Sequence, residues 1–404
     1  MKLRYTLLNS AIAGMLAMTA STGTMAADTN SLQRQIEELK AQNKIIMERL
    51  EATADMIESG DQGQGVAHDD TLDDSMREKT FRQHGSFGKT RVGGYGELHY
   101  NNTDSTNQID MHRFVMFLGH EFNDKIRFWS ELEVEHGKVD ADGGEVSIEQ
   151  AFVEFDLNDN NALRTGVILV PVGLINEIHE PTTFYGVERN NVEKYIIPTT
   201  WREGGASLTG HLWGSVSYDL AMHSGLEVSS GDNYAVRDGR NAVRKASAED
   251  PAYTARIKWT GAAGLELGGA IQYQRDITQG TDTTAGEATL LEAHMVWQTG
   301  QAALRALYAS WDLDGTGPAA VGADEQTGWY IEPSYKLTSK FGVFARQSNW
   351  DNQPNSGSNT ENTQTDFGFN YWPHEDVVLK FDYQLRDNAG TDDDGFNLGV
   401  GYQF

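Results

Sequence analysis

The chain ends in Phe396-Asn397-Leu398-Gly399-Val400-Gly401-Tyr402-Gln403-Phe404, a stretch that alternates strictly between apolar residues and small or polar ones. Successive side chains of an extended strand point to opposite faces, so the apolar residues here share one face. An unpaired strand edge exposes backbone hydrogen-bonding groups, and a chain that stops inside a strand therefore needs a neighbouring strand. Closure of a barrel supplies that neighbour, with the apolar face in lipid and the other face in a lumen.

The beginning of the chain predicts export. Lys2 and Arg4 precede an apolar stretch that starts at Leu7, and small residues surround Ala26. This order is typical of a secretory signal peptide, predicted to cover 1–26. The apolar stretch is too short to cross a bilayer as a helix, and no later run of about 18 apolar residues follows. The sequence contains no cysteine, so no disulfide framework is expected in the exported protein.

The charge is strongly acidic. The formal net charge is −27, and it becomes −29 when Lys2 and Arg4 leave with the predicted signal peptide. Such a surface repels polyanions, so we expect no nucleic-acid partner.

Residues 27–60 carry a heptad pattern, in which apolar residues recur at steps of four and three. The pattern predicts a self-associating coiled-coil helix in the periplasm, with Asn43 at a core position where an amide fixes register. A solitary solvated helix is the alternative. The polar segment 61–88 is predicted to be a flexible linker. The predicted trimerisation residues are Leu32, Ile36, Leu39, Asn43, Ile46, Leu50 and Ile57.

From residue 89 to 404 the sequence alternates in sixteen segments, an even number as bacterial barrels require. The gaps between the segments are alternately short and long, and the long ones include 101–108, 170–202 and 223–251. The fold class predicted is an all-β transmembrane barrel of about 16 antiparallel strands, preceded by the coiled-coil helix. The predicted strands are 90–100, 109–122, 126–136, 146–157, 162–169, 203–209, 212–222, 252–260, 265–275, 288–298, 301–311, 328–337, 341–350, 365–372, 376–386 and 395–404.

The third long gap, 170–202, is rich in apolar and aromatic residues such as Ile175, Phe184 and Trp201. A loop of this composition needs a place to bury those side chains, and the barrel lumen is the place expected. The loop would then narrow a pore, and long compact loops are frequently functional.

The run from Val172 to Arg189, VGLINEIHEPTTFYGVER, together with IPTTWREGG from Ile197 to Gly205, resembles the phosphate-selective porin O/P-like family of bacterial outer-membrane porins. The resemblance covers roughly 88–404. It implies a sixteen-stranded outer-membrane porin, usually a homotrimer, with loop 170–202 as its constriction. The final Phe404 also resembles the assembly signal of such barrels, which implies outer-membrane lipid and the barrel-assembly machinery as partners.

The sequence determines the fold more clearly than it determines which solute the pore prefers. Selection of phosphate needs Arg and Lys side chains in the lumen, whereas the stripe Glu131, Glu133 and Glu135 would favour cations or neutral solutes. In an alternative interpretation, these acids pair with Arg127 and its neighbours and do not act on the solute. The candidate pore-lining residues are Arg127, Glu131, Glu133, Arg164, Glu177, His179, Glu180, Arg189, Lys194, Arg202, Lys380 and Arg386.

The function predicted is passive diffusion of small hydrophilic solutes or ions, with anions such as phosphate among them. The alternatives are a cation-preferring or neutral-solute porin, a scaffold or adhesin that uses its acidic loops, and a hydrolase with a site on the barrel rim. The last would draw on strand histidines: His99, His112, His120 and His294. We expect no catalytic residue, no cofactor and no metal, since the spacing of His179 matches no zinc motif.

Deletion of 27–60 should weaken the predicted trimer without closing the channel, because the helix is expected to add contacts between subunits outside the barrel. Thermal melting of the purified oligomer checks this expectation. An unchanged melting profile would make the helix a tether only.

Overall fold

The barrel seen in the computed structural model is closed and antiparallel, and the described residues are 86–87, 89–140 and 143–404. Each long strand pairs with the next in sequence, and the last pairs with the first through contacts such as Leu398 opposite Tyr100. The predicted fold class is therefore confirmed for the barrel.

The predicted signal peptide 1–26, coiled coil 27–60 and most of linker 61–88 lie outside the described residues. The sixteen strands are β1 (Thr90–Thr103), β2 (Asn107–Asn123), β3 (Ile126–Glu135), β4 (Val146–Asn158), β5 (Asn161–Leu169), β6 (Arg202–Trp213), β7 (Val216–His223), β8 (Ala252–Ala262), β9 (Leu265–Gln274), β10 (Ala288–Thr299), β11 (Ala302–Leu313), β12 (Glu325–Thr338), β13 (Phe341–Asp351), β14 (Asn362–His374), β15 (Val377–Asn388) and β16 (Gly395–Gln403).

The connections keep the predicted alternation of short turns and loops. Seven turns of two residues lie at one end of the barrel, and the loops lie at the other. The prediction of a long gap at 101–108 is wrong. β1 and β2 keep pairing as far as Asn102 and Asn107, and only 104–106 lie between the two strands. The start of β7 is also later than predicted, because β6 runs on to Trp213 before the chain turns at Gly214, whose φ is +54°.

Two-residue strands and short helical segments complete the described chain. Ser86–Phe87, inside the predicted linker, pairs with Thr90 and Arg91, and Thr391–Asp392 pairs with the end of β15. No helix in the described ranges combines the length and the apolar character that crossing a bilayer would need. The helical segments are α1 (Val192–Tyr195), α2 (Thr316–Val321) and the 3₁₀ turns Ser230–Asp232 and Val236–Gly239.

The strands carry apolar side chains on the outer face and polar ones on the inner face. Leu132, Ile257 and Leu379 are 43%, 53% and 44% exposed. Their sequence neighbours on the opposite face, among them Arg256 and Lys380, are buried. This arrangement inverts that of a soluble protein and suits a barrel surrounded by lipid.

The largest hydrophobic core lies where strand faces meet loops 170–201 and 224–251. Trp201 and Trp311 are fully buried in it, with ring centroids 6.0 Å apart. Residues Leu226 and Val228 of the second loop belong to the same core, so that loop is anchored to the barrel by its apolar residues.

A second, smaller core explains why 111–118 is apolar on both faces. Val115 and Phe117 pack with Tyr95 of the neighbouring strand, and the Tyr95 ring meets the edge of His179 from loop 170–201. The inner apolar face of this strand is therefore covered by a loop.

Phe404 closes the barrel seam. Its backbone N–H donates to the Gly94 carbonyl and its carbonyl accepts from the Gly94 N–H, each at 2.8 Å. The ring stacks on Phe114, with centroids 6.0 Å apart. The end of the chain thus holds the first two strands as well as the last.

Phe404→Ser should reduce the yield of folded barrel several-fold, because it removes the stacked aromatic pair at the seam. Phe367→Ser is the matched control, since Phe367 is an outward aromatic at 46% exposure on β14, away from the seam. Folded yield in detergent or lipid measures both variants. Equal yields would contradict a special role for the terminal residue.

Candidate functional site

Residues 170–201, called the constriction loop from here on, connect β5 to β6 and fold against the inner faces of other strands. The Trp311 indole N–H donates to the Ile196 carbonyl at 2.8 Å, and the Asn370 amide donates to the Phe184 carbonyl at 3.0 Å. These donors stand on β11 and β14, far from the loop in sequence. The loop therefore lies inside the barrel.

Two buried polar side chains hold the loop's own shape. The Asn176 amide donates to the Val170 and Trp201 carbonyls, and its oxygen accepts from the Trp201 N–H at 2.6 Å, which ties the two ends of the loop together. The Glu193 carboxylate accepts from the N–H groups of Leu174 and Ile175 at 2.7 Å each. Burial raises the pKa of Glu193, and these hydrogen bonds partly offset that effect.

Glycines on the wall make room for the loop. A Cβ at position 401 would lie 2.4 Å from Pro181, and a Cβ at position 342 would lie 2.2 Å from the Tyr185 hydroxyl. Both distances are too short for a Cβ contact, so a larger residue would require the loop backbone or the Tyr185 side chain to move. The small residues that alternate along β16 thus serve close packing against the loop as well as strand formation.

Of the predicted glutamate stripe, Glu133 is paired within the wall, but its partner is not the expected Arg127, which pairs with Glu154 and Asp156. Glu133 accepts from the Arg113 guanidinium at 3.1 Å, and Arg113 also pairs with Glu97 at 2.9 Å. Glu131 lies beside the buried Glu149. Sequence reasoning missed Arg113 and Glu97, although both stand at inward positions of strands that pair with each other.

The predicted cations of the wall divide into two groups. Near the short turns, Arg127 pairs with Glu154 at 2.9 Å and with Asp156, and Arg164 pairs with Glu154 at 2.7 Å. Higher in the barrel, the buried Lys380 ammonium donates to the Gly186 carbonyl at 2.8 Å. Lys380 therefore holds the constriction loop.

Two further wall charges hold the same part of the loop. The Asp382 carboxylate accepts from the Val187 N–H at 2.6 Å. Arg346 donates to the Tyr185 carbonyl and pairs with Glu332 and Asp366, at 3.2 and 2.9 Å. Arg386, by contrast, lies over the Trp350 ring at 5.5 Å.

Of the acids of the loop, the predicted Glu177 and the unpredicted Glu188 contact the wall. Glu177 pairs with Arg256, and the Glu188 carboxylate contacts His99 Nδ1 at 2.9 Å. Burial alone would raise the pKa of Glu188, but the contact with His99 holds it well below its usual range. One carboxylate oxygen of Glu180 is buried without a hydrogen-bond partner among the described residues.

Basic side chains converge on Thr199 and Thr200 at the end of the loop. Arg237 donates to the Lys194 and Thr199 carbonyls at 2.8 Å each, and Arg240 donates to the Thr200 carbonyl at 3.2 Å. Arg189 donates to the Thr200 hydroxyl at 3.2 Å. We call Arg189, Arg237 and Arg240 the arginine cluster.

The cluster concentrates positive charge. Burial, with the guanidinium groups of Arg237 and Arg202 nearby, lowers the pKa of Arg240 to about 9. Arg202 itself, at the start of β6, faces Glu145 at 3.6 Å. Sequence reasoning missed Arg237 and Arg240, and the available signal was a basic run, RDGRNAVRK from 237 to 245, in an acidic chain.

The strand histidines of the hydrolase hypothesis contact mostly carboxylates. His99 lies between Glu97 and Glu188, and His294 lies between Glu266 and Glu292. His112 contacts Asp110 at 3.6 Å, and His120 contacts the Thr90 hydroxyl.

Comparison with known proteins places this barrel among porins. An uncharacterized protein of Aquifex aeolicus (strain VF5) is 29% identical over 357 residues, which cover 78% of this chain and 79% of the relative. An anion-selective porin from Comamonas acidovorans has a TM-score of 0.55 at 12% identity and covers 78% of this chain and 99% of its own. The trimer form of OmpT from Vibrio cholerae has a TM-score of 0.54 at 12% identity, with the same coverage. The two structural likenesses concern the fold.

A family profile described as phosphate-selective porin O and P matches residues 91–397. The match spans the barrel from its first strand to its last and includes the whole constriction loop. This family match supports the conclusion that the barrel is a passive channel in an outer membrane, and it favours a channel over an enzyme. The chain belongs to the phosphate-selective porin O and P family.

Proposed function

We propose that this protein is a passive outer-membrane channel for small hydrophilic solutes that prefers small anions, with phosphate as one of them. The observation that carries the preference is the arginine cluster at the constriction loop. Within the described ranges, its guanidinium groups bond to carbonyl and hydroxyl oxygens, and no carboxylate lies within ion-pair distance of them. A passing anion is the partner that their charge lacks.

The acidic residues of the wall are weaker evidence for a cation preference than the arginine cluster is for an anion preference. Glu133, Glu154 and Asp366 each lie against an arginine, and such paired charges present little net field to a solute. Glu135 and Asp238 lie within electrostatic reach of the arginine cluster and partly offset it. Glu133 and Glu149 also lie within electrostatic reach of Arg189, and the proposal is that the three guanidinium groups outweigh these acids at the loop.

The double variant Arg237→Gln/Arg240→Gln should lower the ratio of anion to cation permeability several-fold. Removal of one unit charge about 4 Å from a permeating ion in water changes their interaction energy by about 1 kcal/mol. Reversal potentials across a KCl gradient in planar bilayers give the ratio. Arg275→Gln is the control, because Arg275 is 75% exposed and pairs with Asp250 outside the cluster.

The wild-type reversal potential also decides between the two porin hypotheses. A cation-selective value would overturn the anion preference and support the cation-preferring alternative. An anion-selective wild type whose ratio survives the double variant would exclude the arginine cluster as its source.

We also propose that the constriction loop sets the width of the pore. Replacement of 178–188 by Gly-Ser-Gly should raise single-channel conductance several-fold, because this part of the loop contacts the inner faces of β11, β13, β14 and β15. The apolar part of the loop, including Ile196 and Trp201, stays in its core in this variant. Deletion of the exposed residues Lys138–Asp140 in another loop is the control. Unchanged conductance in the first variant would mean that the loop does not limit flow.

A homotrimer in the outer membrane, with the coiled coil in the periplasm, completes the proposal. The heptad pattern of 27–60 supports self-association, and a trimer form is described for the similar OmpT barrel. The apolar outer face, with residues such as Ile271 and Leu291 exposed, suits both lipid and a neighbouring barrel.

A further inference from the structure

Three side chains that lie apart in the sequence meet in one buried cluster. Glu131 stands on β3, Glu149 on β4 and His179 on the constriction loop, and one ligand atom from each lies within 4.8 Å of the other two. Glu149 is 0% and His179 is 1% exposed. The cluster therefore lies between the barrel wall and the loop.

A β-bulge aims Glu149 into the cluster. Glu131 pairs with Gln150 across β3 and β4, but Leu132 pairs with Ile148, so Glu149 is the extra residue. Bulges often redirect a side chain in this way. The sequence spacing of these residues predicts no metal site, because only the bulge and the loop bring them together.

Several polar atoms of the cluster make no hydrogen bond to the described residues, although His179 Nε2 and Glu149 Oε2 lie within ion-pair distance of each other. This holds for both carboxylate oxygens of Glu149, for one oxygen of Glu131 and for Nε2 of His179. Buried carboxylates without partners are costly, because burial removes the hydration of the charge. The neighbouring Arg113 is already shared between Glu97 and Glu133.

The orientation of His179 points to a cation. Its Nδ1 lies 3.1 Å from the Asn176 carbonyl oxygen, which can only accept, so Nδ1 carries a proton. In the neutral ring the lone pair is then on Nε2, which lies 3.4 Å from Oε2 of Glu149. Histidines that bind metals usually donate their other N–H to a carbonyl or carboxylate in this manner.

We propose that Glu131, Glu149 and His179 bind one divalent transition-metal ion, Zn²⁺ or Mn²⁺. An imidazole with two carboxylates is a donor set that suits such ions, and the two negative charges balance the ion. Donor atoms about 2.1 Å from a tetrahedral ion lie about 3.4 Å apart, as Nε2 and Oε2 do here. The ion joins the constriction loop to β3 and β4 and thereby fixes the loop to the wall.

The test is metal binding by the purified full-length protein, stripped with EDTA, loaded with Zn²⁺ and passed over a chelating resin. Elemental analysis should find one more Zn²⁺ per barrel in the wild type than in Glu149→Gln. Binding to the variant should be weakened more than about 100-fold, since loss of an outer-shell partner alone costs 10–100-fold. The melting temperature of the wild type, and not of the variant, should rise with Zn²⁺.

Glu292→Gln is the matched control. Glu292 is a buried acid beside a histidine, with Oε1 2.7 Å from Nδ1 of His294, but both nitrogens of that ring face carboxylates. This variant should retain the zinc content of the wild type. Equal zinc loss in Glu292→Gln and Glu149→Gln would overturn the assignment.

Crystals of the loaded wild type locate the ion without any substitution, so the proposal stays testable if Glu149→Gln or a second variant, Glu131→Gln, fails to fold. An anomalous peak at the zinc edge between the three side chains supports the proposal. No peak there after saturation with Zn²⁺ and then with Mn²⁺ overturns it, and a proton shared by His179 and Glu149 then explains the cluster. Neither result depends on conductance, so the porin proposal is judged separately.

Discussion

The lack of water in a hydrocarbon layer is the constraint on which this structure depends. Each backbone N–H and C=O there needs a partner within the protein, and a closed sheet provides partners for all of its strands. Pairing of β16 with β1, completed by the two hydrogen bonds between Phe404 and Gly94, leaves no open edge among the long strands. Alternation along each strand then sends apolar residues to lipid and polar residues inward.

The inward polar residues impose a second constraint, because many charged groups are confined to the interior of the barrel and need partners there. Much of that charge is cancelled between neighbouring strands, as in the contacts of Arg113 with Glu97 and Glu133. A further part is satisfied by the constriction loop, whose backbone accepts from Lys380 at Gly186 and donates to Asp382 at Val187. Wall and loop therefore depend on each other, since each satisfies polar groups that the other buries.

Charges paired within the wall or bonded to the loop differ from charges without an ionic partner, which the proposed function assigns to solutes. Lys380 was a candidate pore-lining cation, yet it holds the loop in place, as does Arg346. The arginine cluster, built from two different loops, also donates to oxygens of the constriction loop, but among the described residues no carboxylate lies within ion-pair distance of it. The Glu131, Glu149 and His179 cluster belongs to the anchoring side of this distinction, and a metal ion there would strengthen it.

The sequence by itself determined the barrel, the number of long strands and the loop that enters the lumen. Those properties depend on alternation and composition within short segments, such as 396–404 and the apolar residues of 170–202. Only the tertiary structure decided which charges cancel and which stay available. Partners such as Glu177 and Arg256, or Glu149 and His179, meet through strand register, a bulge and the path of a loop. A shift of one residue in register would turn the strand residues among them, Arg256 and Glu149, to the other face of the sheet, and short-range patterns do not carry that information.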